Sequence, residues 1–197
     1  MSEILANNQE HYEDSSKPIL LFWVYLMTDL IMFAVLFAVY AALKDSTFGG
    51  PSGKELFNMP FVLVETLALL TSSFTCGLAM LCAHRGKKNQ LMLWLTSTFI
   101  LGGIFLGMEL YEFNKLISEG FGPSASAFLS SLFALLGTHG THIAIGLIWL
   151  IVMIIFLQKK GLTSNIVKKL TMFSLFWHFL DIVWIFIFTM VYLMSQL

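Results

Sequence analysis

The sequence predicts an all-α integral membrane protein: five transmembrane helices in a bundle, with the N-terminus cytoplasmic and the C-terminus outside. Three observations carry that reading. Of 197 residues, 57% are hydrophobic and the mean hydropathy is +0.81, more apolar than a water-facing globule tolerates. Five apolar runs of about 20 residues or more are each long enough to cross roughly 30 Å of hydrocarbon as a helix. Each run carries at least one acid or histidine and none carries a lysine or arginine. Acids and imidazoles are expensive in hydrocarbon, so groups that recur on every span are expected to face one another inside a bundle.

Residues 1–18 come first and read as a short polar, acidic cytoplasmic tail. They contain Glu3, Glu10, Glu13 and Asp14, with no basic n-region and no small-residue cleavage site, which argues against a cleaved signal peptide. Residues 19–197 form the transmembrane domain, with spans at about 19–43, 60–83, 91–111, 125–157 and 170–193. Pro18, Pro60 and Pro123 punctuate three of the starts, where proline is tolerated. The Lys44–Asn58 connector, with Gly49, Gly50, Pro51 and Gly53, reads as a turn-rich loop.

Orientation follows from charge. Eight basic residues fall on the side of the N-terminus and the second and fourth loops, against Lys44, Lys54 and Lys115 on the other. The positive-inside rule therefore places the N-terminus in the cytoplasm. Trp23, Tyr25, Trp94 and Trp177 are expected near inner ends, and Tyr40, Tyr111 and Tyr192 near outer ends, as interfacial belts. Ser73 with Gly77, Gly103 with Gly107, and Ala34 with Ala38 form small-xxx-small pairs that let helices approach closely. Cys76 and Cys82 share one helix at roughly 9 Å between Cα atoms, too far to bridge.

The intramembrane polar residues are the candidate site. Glu109 with Glu112, His139 with His142, and His178 with Asp181 each sit three apart, hence on one helix face. Asp29 and Glu65 supply the other two spans. Converted to depth at about 1.5 Å per residue, Glu65, Glu109 and His139 form an outer layer; Asp29, His178 and Asp181 form a middle one, with His142 between. Four readings are open. The groups could collect a metal as di-iron bundles do, though the Glu-x-x-His pairing is absent. His139 and His178 could clamp a haem, against their differing depths. The chain of acids and histidines could relay protons, as in an independent proton-coupled transporter or channel. The plainest reading is that they hydrogen-bond across helices and fix the bundle's register.

Signatures of soluble enzymes are missing: no GxGxxG, GxxxxGK[ST], HExxH, CxxC or GxSxG occurs. Eleven scattered basic residues make no nucleic-acid footprint.

Five strings carry a likeness that periodicity does not. They are FWVYLMTDLIMFAVLFAVY (Phe22 to Tyr40), FVLVETLALLTSS (Phe61 to Ser73), GMELYEF (Gly107 to Phe113), GTHGTHIAIGLIWL (Gly137 to Leu150) and SLFWHFLDIVWIFIFTMVYL (Ser174 to Leu193). Together they resemble subunit III of the haem-copper respiratory oxidases over all five spans. The five-span form is similar to the quinol-oxidase branch, the cytochrome bo type of bacterial ubiquinol oxidase. Mitochondrial-type relatives carry two further helices in front. Asp29 stands where such relatives usually have glutamate.

The resemblance implies a non-catalytic accessory subunit with no active site of its own, multi-pass in a bacterial inner membrane. Its partners would be the catalytic oxidase subunit I, the other oxidase subunits and phospholipids. Haem, copper and quinol would belong to the catalytic partner, with no cofactor in this chain. The complex oxidises quinol, reduces oxygen to water and pumps protons; the subunit supports assembly, lipid binding and sustained proton uptake. On this resemblance Asp29, Glu65, Glu109, Glu112, His139, His142, His178 and Asp181 belong to a polar interior that is structural or lipid-proximal.

Overall fold

The computed structural model describes residues 2–47 and 58–196, with side chains for 19–47 and 58–195. Most of the Lys44–Asn58 connector, including its glycines, Pro51 and Lys54, lies outside the described residues. Five long helices follow in order: α1 (Ser2–Leu43), α2 (Met59–His84), α3 (Lys88–Ser118), α4 (Ala127–Lys160) and α5 (Ser164–Ile187). A π-helical turn (Phe188–Leu193) and a short 3-10 turn (Met194–Gln196) complete the chain. Each of the five is long and apolar enough to cross a membrane, as expected from the hydropathy.

The first span stands at Ile19–Leu43 as expected, while two other boundaries differ and the segment before that span is helical. Residues 2–18, read as a tail, continue α1 without a break. Leu, Ala, Gln and Glu favour helix there, and no glycine interrupts the run. The third helix runs to Ser118 rather than stopping near 111, and the fifth starts at Ser164 rather than near 170. Both extensions carry charges, Lys115 in one and Lys168 and Lys169 in the other, which hydropathy discards but helix propensity does not.

The turns explain the pairing of neighbours. Gly86 (φ 70°) and Gly161 (φ 71°) take left-handed backbone in the links joining α2 to α3 and α4 to α5, so each pair folds back as an antiparallel hairpin. Ser126 caps α4 by accepting a hydrogen bond from the Leu129 amide at 3.1 Å. Helices α2, α3, α4 and α5 form a closed ring in that order, α5 returning against α2, while α1 leans outside on α4 and α5. Just past α1, the Ser46 carbonyl accepts the Phe128 amide at 3.3 Å, tying the end of α1 to the start of α4.

Lipid offers helices no hydrophobic drive to associate, so close packing must hold the ring. Trp177 is its centrepiece. Its ring stands between Gly102 on α3 and Gly146 on α4, where an added Cβ would come within 2.8 Å of ring carbons at either position. These glycines make the close approaches. Gly77, Gly103 and Gly107, singled out by small-xxx-small spacing, meet nothing within 4 Å of a Cβ. Trp177 is therefore core rather than belt, as are Tyr40 and Tyr192. With α5 beginning at Ser164, position 177 lies near mid-span instead of at an end. Trp23, Tyr25 and Tyr111 are exposed, as a belt requires. Cys76 and Cys82 are both free and buried.

Candidate functional site

The eight polar residues divide into three arrangements. The first joins α1 to α4. Among the described side chains of α1, Leu26, Asp29, Phe33 and Tyr40 make the buried stripe, and most of the others are exposed. Asp29 Oδ2 lies 3.5 Å from His142 Nε2. His142 Nδ1 donates to the Thr138 carbonyl at 2.7 Å, which fixes the ring and turns Nε2 toward the acid.

The second joins α2 to α5. Ser73 Oγ and His178 Nδ1 share a hydrogen bond of 2.6 Å. One turn on, Asp181 shares the same face, and its Oδ1 has no hydrogen-bond partner among the described residues. Ser73, Gly77, His178 and Asp181 line a groove of about 310 Å³ on the outer surface of the ring, rimmed by Leu70, Phe74 and Leu78. The expected middle layer is thus two places: Asp29 meets His142 on α4, whereas His178 and Asp181 face α2.

The third is a buried acid cluster at the end of the ring where α2 begins and α3 finishes. Glu65 on α2 and Glu109 and Glu112 on α3 are within electrostatic reach of one another. Glu65 and Glu109 are fully enclosed, and none of their four carboxyl oxygens has a hydrogen-bond partner among the described residues. Glu112 Oε2 accepts from the Tyr192 hydroxyl at 3.1 Å. Gly140 makes room for Glu109, since a Cβ there would stand 2.7 Å from Oε2. Such a cluster can hold ordered water or protons.

His139 belongs to none of these. It is enclosed by Phe33, Phe105 and Trp184, and the Trp184 ring stacks on it at 5.3 Å and 28°. His139 is fully enclosed and both of its ring nitrogens are buried among these side chains, so a haem iron has no approach to them and the His139–His178 clamp does not fit this packing. Among the described residues, no three His, Cys, Asp or Glu side chains are arranged to hold a metal ion.

The hydroxyl seam was not foreseen. Ser72 donates to the Thr98 carbonyl at 3.1 Å and accepts from Trp177 Nε1 at 3.1 Å. Thr75 and Thr98 share a 2.9 Å bond, and Trp184 Nε1 donates to Thr66 Oγ1 at 3.0 Å. The signal was present: Trp177 and Trp184 lie seven apart, two turns along one face, opposite Ser and Thr in an apolar span.

Residues 14–196 match the family described as cytochrome c oxidase subunit III. A Pseudomonas aeruginosa protein named cytochrome bo(3) ubiquinol oxidase subunit 3 is 54% identical over 98% of this chain and 93% of its own length. Quinol oxidase subunit 3 of Bacillus subtilis is 47% identical over 93% of this chain and 90% of its own. A Bacillus sp. protein named cytochrome c oxidase subunit 3 is also 47% identical, over 89% of this chain and 84% of its own.

Proposed function

The chain belongs to the cytochrome c oxidase subunit III family, and from that premise we propose that it is the non-catalytic third subunit of a proton-pumping quinol oxidase in a bacterial inner membrane. The observation that carries the reading is near-full-length similarity to named oxidase subunits, joined to an interior whose polar groups brace helices. Trp177, Trp184 and Ser73 each bridge two helices by a hydrogen bond. Haem, copper and quinol belong on this reading to the catalytic subunit. This chain contributes assembly, lipid contact and durability.

The chain sits with its N-terminus in the cytoplasm. Arg85, Lys87 and Lys88 lie in and beside the α2–α3 turn, and Lys159, Lys160, Lys168 and Lys169 flank the α4–α5 turn. Both turns fall at the same end of the ring, which the positive-inside rule assigns to the cytoplasm. The names of the relatives include quinol and cytochrome c oxidases alike, and the stronger likeness to the Pseudomonas aeruginosa protein favours quinol as donor. No observation favours an independent proton-coupled transporter.

Affinity purification of the tagged chain from its native membrane in mild detergent tests this. The expected product is a haem-bearing complex with quinol-dependent oxygen uptake. A stable, haem-free, monodisperse chain with no co-purifying subunit would overturn it.

A further inference from the structure

The seat of α1 on its neighbours does not end where its span ends. Phe22 meets Trp149 at 6.0 Å between ring centroids, Asp29 meets His142 and Tyr40 meets Phe128, so α1 and α4 run antiparallel and the residues before Ile19 emerge where α4 finishes. Beyond Trp149, Met153, Phe156 and Lys160 continue the same face of α4 at helical spacing. On α5, Ile166 and Lys169 continue the face that sets Phe173 against Trp149. With Thr163 and Asn165, these five side chains line a groove of about 380 Å³ between the two helices, in line with α1.

The groove is basic. The ammonium groups of Lys160 and Lys169 gather over the Phe156 ring, 5.6 and 5.7 Å from its centroid, with Lys159 and Lys168 next to them in sequence. None of the four lysines makes an ion pair among the described residues. Like charges held this close attract carboxylates. Along the sequence, Glu3, Glu10, Glu13 and Asp14 are the acids at this end of the bundle, since every other acid falls in a span or in a connector at the opposite end. Helix α1 continues back to Ser2. Lys160 lies eleven residues past Trp149 and His11 lies eleven before Phe22, so the antiparallel register sets them level, with Glu10, Glu13 and Asp14 within one turn of that height.

We propose that the acidic N-terminal segment, residues 2–18, docks in this groove as a continuation of α1 and pairs its carboxylates with Lys160 and Lys169. The occupant is this segment because it is tethered at Ile19, beside the groove, and is therefore present there at high effective concentration, with charge of the opposite sign. Docking gives α1 a second attachment to α4 and α5, outside the span and weakened by salt. The inference stands apart from the oxidase reading and requires no partner subunit.

A carbodiimide, which joins a carboxylate to a contacting amine as an amide with no spacer, tests it in the protein purified from its native membrane with its bound partners. Peptide mapping is expected to link the peptide holding Glu10, Glu13 and Asp14 to Lys160 or Lys169 at about fivefold or more the yield to Lys87 or Lys88, which lie at the α2–α3 turn on the same end. Lys160→Gln combined with Lys169→Gln removes two exposed charges and is expected to speed cleavage after Glu10 and Glu13 by a glutamate-specific protease about fivefold, whereas Lys87→Gln with Lys88→Gln leaves it within about twofold. Absent coupling, equal coupling to both turns, links from this peptide to another chain alone, or unchanged cleavage in the Lys160 and Lys169 variant overturns the proposal. Coupling that is present in detergent and vanishes in bilayers containing phosphatidylglycerol gives the groove to an anionic headgroup and overturns it too.

Discussion

Cζ2 of Trp177 occupies the space beside Gly102, 2.8 Å from where that residue's Cβ would stand. Across the same indole, Gly146 meets Cζ3 at 2.8 Å. One ring thus holds α3 and α4 against α5, and the Ser72 hydroxyl fixes its nitrogen from α2 at 3.1 Å. Four helices converge on one side chain.

Gly102→Ala and Gly146→Ala should each destabilise the bundle by about 1–3 kcal/mol, because an indole wedged between backbones cannot retreat. Gly103→Ala should be near neutral, having open space beside it. Thermal melting of the purified complex, read by fluorescence or by haem loss, orders the three. Combined with Trp177→Leu, the penalty at Gly102 should largely vanish, since the two sites share one contact.

Gly140→Ala should be milder than Gly102→Ala. The nearest atoms there are the Glu109 carboxyl oxygens, at 2.7 and 3.1 Å. A carboxyl at the end of a flexible side chain swings aside more readily than a ring. If Gly140→Ala proved as damaging as Gly102→Ala in the same melt, Glu109 would be held in place by more than packing.

Ser73→Ala removes the hydrogen-bond partner of His178 Nδ1 among the described residues. Hydrogen bonds between membrane helices average about 0.6 kcal/mol, so the expected loss is small but measurable in detergent-driven unfolding. Tyr192→Phe should cost more, about 1–3 kcal/mol, because it strips the hydroxyl donor from the buried Glu112 carboxyl.

Asp29→Ala breaks the contact between α1 and His142 without touching any residue expected to handle electrons. Oxygen uptake per haem should start at the unsubstituted rate and decay sooner during continuous turnover. A collapse of the initial rate in a fully assembled complex would give Asp29 a direct part in the chemistry.

The number of spans was legible because each apolar run far exceeds what a soluble helix shows, and the three-residue pairs correctly placed Glu109 and Glu112 on one buried face. What the residues could not reveal was which helices are neighbours. Spacing fixes a side chain's face but not the order of helices around the ring. Asp29 was therefore grouped with His178 when it meets His142. The glycines show the same limit: Gly102 and Gly103 are adjacent in sequence, yet only Gly102 faces Trp177. The start of α5 was missed because Lys168 and Lys169 dilute hydropathy without opposing helix.

The wide π-helical turn over Phe188–Leu193 has a consequence for how this stretch can change. Its i to i+5 winding advances fewer degrees per residue than an α-turn, so Tyr192 stays in phase with Trp184 and its hydroxyl meets Glu112. Rewinding this stretch as ordinary α-helix at unchanged length would rotate the phenol off the acid, whereas deleting one residue from the turn removes the extra winding and leaves the phenol close to its present phase. A one-codon gap therefore disturbs orientation less here than it would in a plain helix.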